Sequence, residues 1–122
     1  MCAMEKDRVR IGSIVIDVKD FPRMMAFYEA ALGYRPGRPP DPDDPFVIMK
    51  DPAGKAPNVS IDGMEPYRNV IHLDLYTEDP EREIERLLRL GATVFREREP
   101  DEDFTVLADP EGNLFCVVDT RS

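Results

Sequence analysis

The only histidine of the chain, His72, lies in the run Ile71-His72-Leu73-Asp74-Leu75-Tyr76. Successive side chains of an extended strand face opposite ways. His72, Asp74 and Tyr76 therefore share one face, and Ile71, Leu73 and Leu75 the other. An imidazole beside a carboxylate can act as a general base, line a ligand pocket, or supply two of the donors a divalent ion needs. His72 is the best catalytic candidate, Asp74 can orient it or receive a cationic group, and Tyr76 adds a hydroxyl and a flat face. The same alternation over 11–18 puts Ser13, Val15 and Asp17 on one face and Ile14, Ile16 and Val18 on the other. Cys116 stands between Phe115 and Val117. It is a space-filling thiol, or a nucleophile if His72 approaches it in space. The candidate ligand-binding residues are thus His72, Asp74, Tyr76, Ser13, Asp17 and Cys116.

Other chemistries lack their residues. The remaining cysteine, Cys2, sits in an irregular arm expected over 1–9, and no Cys-x-x-Cys pattern exists for a zinc knuckle. The Asp-Pro-x-Gly segments at 51–54 and 109–112 are turns, and no phosphate-loop pattern accompanies them. With 25 acidic and 16 basic residues, the net charge of −9 repels nucleic acid and anionic lipid and suits a basic ligand. No apolar run is long enough to span a membrane, and the opening MCAMEKDRVR has no apolar core. The expectation is a cytoplasmic protein with no nucleic-acid or membrane partner.

Two kinds of element must position these groups. Strands are expected over 11–18, 46–50, 57–62, 70–76, 92–97, 104–108 and 114–119, with a short one starting at Tyr34. One helix starts near Asp20 and Pro22 and ends at Gly33, with Met24, Phe27, Tyr28, Ala31 and Leu32 at helical spacing. A second runs from Asp79 and Pro80 to Leu90, with Ile84, Leu87 and Leu88 as its buried stripe and Glu85 pairing with Arg89. Residues 36–45 form an exposed, proline-rich loop. Arg68 and Asn69 anchor the crossover before the His72 strand, or bind an anionic group.

The order repeats. Asp20 falls on Asp79 at a spacing of 59, and Leu32-Gly33 on Leu90-Gly91 at 58. The segment Phe46 to Gly54 falls on Phe104 to Gly112 at 58, and Asp62 on Asp119 at 57. The chain therefore reads as one α+β domain, 1–122, of two βαβββ modules over about 11–62 and 69–119. Each sheet has one face covered by its helix, and the two uncovered faces are expected to enclose a cleft.

The segments VKDFPRMMAFYEAALGY, HLDLYTEDPEREIERLLRLGATV and DFTVLADPEGNLFCVVD resemble the vicinal oxygen chelate superfamily, which contains glyoxalase I, bleomycin-resistance proteins and extradiol dioxygenases. RNVIHLDL and DPEGNLFCVV are most similar to its small glyoxalase-like subgroup. The resemblance implies tandem βαβββ modules forming a curved mixed sheet around a cleft. It also implies divalent-metal ligands on the first and last strands of each module. Those positions carry Ser13, His72, about Val59, and Cys116. Only His72 is a usual ligand, so no family-type metal centre is expected. If an ion such as Zn²⁺, Mn²⁺ or Ni²⁺ is held, His72 with Asp74 or Cys116 would hold it. The expected function is binding of a small organic molecule by a homodimer. The alternatives are a metal-dependent glyoxalase-like lyase, isomerase or dioxygenase, and a non-catalytic interaction dimer.

Overall fold

The computed structural model describes residues 9–121. Cys2 and the expected arm, apart from Val9, lie outside the described residues. The element order is β1 (Arg10–Asp17), α1 (Phe21–Leu32), β2 (Arg35–Pro36), β3 (Phe46–Lys50), β4 (Asn58–Asp62), β5 (Ile71–Thr77), α2 (Pro80–Arg89), β6 (Thr93–Arg96), β7 (Phe104–Ala108) and β8 (Leu114–Asp119). This is the expected α+β arrangement, with the βαβββ order occurring twice. Contacts group the chain into two compact units, one of Ser13–His72 and one of the residues up to Gly12 with Leu73 onward. The division falls within β1 and β5.

In the first module the strands lie in the order β2-β3-β4-β1. β1 runs parallel to β4, and the other two pairings are antiparallel. A parallel pair needs a long crossover, and α1, β2 and β3 supply it. Asp20 caps α1 by accepting a 3.2 Å hydrogen bond from the Arg23 N–H, with Pro22 in the first turn. The helix stops at Gly33, whose φ of 73° is one a Cβ would oppose, and whose N–H reaches the Glu29 carbonyl at 2.9 Å. The core of this module is Val18, Phe21, Val47, Met49, Val59 and Ile61, with Ile16, Met24 and Tyr28 packed against it. Removing each such side chain from water stabilises by about 1.5–3 kcal/mol. Phe27, expected on the buried stripe, is instead 57% exposed.

The second module repeats the pattern as β5-β8-β7-β6, with β5 parallel to β8. Asp79 caps α2 through the Arg82 N–H at 3.3 Å. The expected pair of Glu85 and Arg89 is present at 3.2 Å. The buried stripe is not as expected. Glu83 is 1% exposed and bridged to Arg86 at 2.8 Å, whereas Leu88 is exposed. The polar theme continues on the sheet face opposite His72, where Thr77, Thr105 and Asp119 are buried beside Val117 and Leu107. Asp119 lies 2.8 Å from Arg121 and 3.1 Å from Arg98. Hydrogen bonds from the Arg121 side chain, then its backbone N–H, then Arg98 hold the Asp119 carboxyl far below the usual range.

The proline-rich loop is exposed at its tip, as expected, but tied at its base. Arg38 donates to the Pro39 carbonyl at 3.1 Å, to the Asp44 carbonyl at 3.0 Å and to the Phe46 carbonyl, and pairs with the Asp44 carboxylate. The short strand is Arg35–Pro36, one residue beyond Tyr34. No helix among the described residues is long and apolar enough to cross a membrane.

Candidate ligand-binding site

Strand alternation and the β5–β8 register together make the polar cluster. Asp74 lies opposite Cys116, and His72 is two residues before Asp74 on the same face. One donor atom each from His72, Asp74 and Cys116 lie within 4.8 Å of one another, and all three residues are half-buried. Of the six residues singled out from the sequence, these three are thus brought together by the fold.

The thiol of this cluster is held in its neutral form. Burial raises it first, and the Asp74 carboxylate adds both its charge and a hydrogen bond, so that Cys116 is pushed up to about 12. A thiol donating to a carboxylate is not a nucleophile at neutral pH. The Cys–His pair considered from the sequence therefore has its members close together but its sulfur unactivated.

Tyr76 shares the face, but packing constrains it. Its ring lies against Gly12, where an added Cβ would meet ring carbons at 2.2 Å, and the Arg10 guanidinium sits 5.5 Å above the ring centroid. Only glycine permits that approach.

The equivalent positions of the first module are uncharged. Val15 lies opposite Ser60 in β4, as Asp74 lies opposite Cys116 in β8. Ser13 and Ser60 thus stand where His72 and Cys116 stand in the repeat. Both are fully buried, at 0% and 1% exposure, with their hydroxyl oxygens 2.6 Å apart. Val59, the position inferred by spacing, belongs to the helix-facing core. The inferred offset of 57 is 56 in the strand register, and a slip of one residue turns a side chain to the other face. Asp17 lies at the end of β1, where its carboxylate accepts from the backbone N–H groups of Arg68 and, at 2.9 Å, Asn69. Those two residues thereby anchor the crossover through their main chain, one of the two roles expected of them.

Arg96 escaped the sequence reading. In β6 it pairs with Val106, although Val94 pairs with Leu107, because a bulge at Phe95 inserts one residue. That bulge turns Arg96 to the Cys116 face and leaves Phe95 exposed. Glu102 clamps the guanidinium at 3.0 and 3.2 Å, and the Phe104 ring lies 5.2 Å beneath it. No spacing in the sequence reveals a bulge of this kind.

As a metal centre the cluster offers one nitrogen, one oxygen and one sulfur. Three such donors suit Zn²⁺ with an open fourth position, provided the thiol gives up its proton. They do not suit an ion that requires an oxygen-rich octahedral shell. Ser13 and Ser60 add no anionic ligand.

Comparison with known proteins agrees with this architecture. A family described as "Glyoxalase-like domain" matches residues 13–118. The chain resembles a glyoxalase/bleomycin resistance protein/dioxygenase superfamily member from Vibrio splendidus 12B01, at 17% identity and a TM-score of 0.62 over 90% of this chain and 97% of that one. It also resembles a methylmalonyl-CoA epimerase from Mycobacterium tuberculosis, at 18% identity and a TM-score of 0.61 over 88% and 85% of the two chains. A structure named as an NAD-dependent benzaldehyde dehydrogenase from Legionella pneumophila gives 17% and 0.63 over 87% and 96%. At these identities the likeness shows the fold alone. No curated protein matches the chain.

Proposed function

The chain belongs to the glyoxalase-like domain family of the vicinal oxygen chelate superfamily, and on that premise we propose that it binds a small organic molecule against the polar face of β5 and β8 without a family-type metal centre. The observation that supports this most is the state of the Asp74–Cys116 pair. The thiol already occupies the carboxylate as a proton donor, and the corresponding pair in the first module, Val15 and Ser60, carries no charge. A face with few polar groups on an apolar background orients a ligand by hydrogen bonds and needs no reaction. His72 and Asp74 form the recognition pair, Cys116 holds Asp74 in place, and Tyr76 completes the ligand-binding set on this face. Ser13, buried against Ser60, and Asp17, held by the Arg68 and Asn69 N–H groups, are left out of it. A basic ligand suits Asp74 and the net charge of −9. The protein works as a cytoplasmic homodimer, which light scattering would test.

A second reading has support from the 4.8 Å donor cluster. In it His72, Asp74 and Cys116 hold a divalent ion, which would polarise a substrate carbonyl in a lyase, isomerase or dioxygenase reaction. His72 and Asp74 would then be ligands rather than recognition groups. One experiment separates the two. Chelator-treated protein is titrated calorimetrically with Zn²⁺, Mn²⁺ and Ni²⁺, and screened by thermal shift against small amines and neutral aromatics. The binding reading expects stabilisation by organic compounds alone, about 2.7 kcal/mol at a hundred times Kd, and its loss in His72→Ala. Stoichiometric binding of an ion, abolished by His72→Ala, would replace it with the metal reading.

A further inference from the structure

We infer that the first module carries a second small-molecule site, between α1 and the segment 67–71, for a flat apolar molecule bearing one anionic group. The inference is independent of the role assigned to β5 and β8. A cavity of about 560 Å³ lies here, within the range that holds small ligands. Its walls include Ile16, Met24, Phe27 and Ile71. Ile16 faces opposite Ser13 and Ser60 by strand alternation, so this is not the face of the serine pair. Phe27 and Ile71 are 57% and 67% exposed, large apolar groups left open to a ligand. Phe27 stands edge-on to Tyr28, centroids 5.0 Å apart, and so offers a fixed aromatic wall.

The charges at the rim choose the ligand. Four lie there: Asp17, Lys19, Asp20 and Arg23. The two carboxylates are already engaged by the main chain, Asp17 with Arg68 and Asn69, and Asp20 with the Arg23 N–H in the helix cap. A cationic ligand would compete with those bonds. The two cations are not so engaged. Lys19 rests over the Tyr67 ring at 4.9 Å, and the Arg23 guanidinium has no ion pair among the described residues. An anion can take both without breaking a native contact.

The test uses 8-anilinonaphthalene-1-sulfonate and its neutral parent N-phenyl-1-naphthylamine as fluorescent ligands of the whole chain. One equivalent of the sulfonate is expected to bind. Arg23→Gln should weaken it about ten-fold, the loss of one charge-assisted hydrogen bond, and Ile71→Ser should weaken both dyes. His72→Ala should leave both titrations unchanged. Arg23 and Ile71 are not buried, and an unchanged urea midpoint verifies that each variant is folded. Sulfonate affinity unaffected by Arg23→Gln and Ile71→Ser would overturn the site, and equal affinity for the neutral dye would overturn the anion assignment. A dimer in light scattering that Phe27→Glu dissociates would show a second copy covering this face, and would overturn the site too.

Discussion

Asp74 is predicted to keep Cys116 out of its reactive form, and Asp74→Asn should partly release it. The ordinary thiol value is 9.0, and here it is about 12. At pH 8 a thiol at 9.0 is about one-tenth thiolate, whereas one near 12 is about one part in ten thousand. Burial is the largest cause and the Asp74 charge and hydrogen bond follow. Asparagine removes the charge but leaves the burial, so the expected gain in thiolate is roughly ten-fold, not a thousand-fold. The assay is the rate of iodoacetamide alkylation between about pH 7 and 10.5, in a Cys2→Ser background where Cys116 is the only thiol. The rate should climb without a plateau, and Asp74→Asn should raise it throughout while its midpoint stays above 9.0. The same displacement links to stability. A folded-state pKa raised above the unfolded one stabilises below 9.0, and that contribution is lost as pH rises towards 12. Roughly 4 kcal/mol is at stake across that window. A wild-type plateau at the ordinary thiol value, or no response to Asp74→Asn, would refute the placement of Cys116 against the carboxylate.

Ser13→Ala should destabilise by about 1–3 kcal/mol, since it strands the buried Ser60 hydroxyl. Ser13→Ala with Ser60→Ala should cost less than the two single changes summed, as read by urea unfolding. Gly12→Ala should cost about 1–3 kcal/mol through the clash with Tyr76 and alter the near-ultraviolet circular dichroism of a chain that has no tryptophan. Asp119 titrates below its unfolded value, so it stabilises above the ordinary carboxylate range and less as pH falls through it. The stability gap between wild type and Asp119→Asn should therefore be wide at about pH 7 and narrow at about pH 3. Glu83→Met should leave stability unchanged or raise it, because the buried Glu83 has one carboxylate oxygen with no hydrogen-bond partner among the described residues. Thermal unfolding would read this directly.

Part of the site was legible because it depends on local rules. Alternation alone puts His72, Asp74 and Tyr76 on one face of β5, and the structure keeps them there. Helix limits were legible for the same reason, as Asp20 and Asp79 cap within one turn and Gly33 ends α1 by its own backbone freedom. Burial was less legible. Phe27 and Leu88 fit the helical spacing yet are exposed, while Glu83 is buried. Spacing defines a stripe about the helix axis, but the rotation of the helix on its sheet decides which edge of that stripe is covered.

The order of strands and helices, and its repetition, were properties of the sequence by itself, because propensity, capping and turn chemistry act over a few residues. So were the residue types at the candidate positions, since no fold converts Ser13 into a metal-binding histidine. Tertiary structure decided everything that required a count across strands. The register put Ser60, not Val59, opposite the β1 face, and a single extra residue at Phe95 turned Arg96 towards Cys116. It also brought Cys116 under the Asp74 carboxylate and set Arg23 at the rim of an open apolar cavity. Pairing between strands distant in sequence sets those neighbours, and one residue more or less in a loop or bulge reverses the face on which a side chain acts.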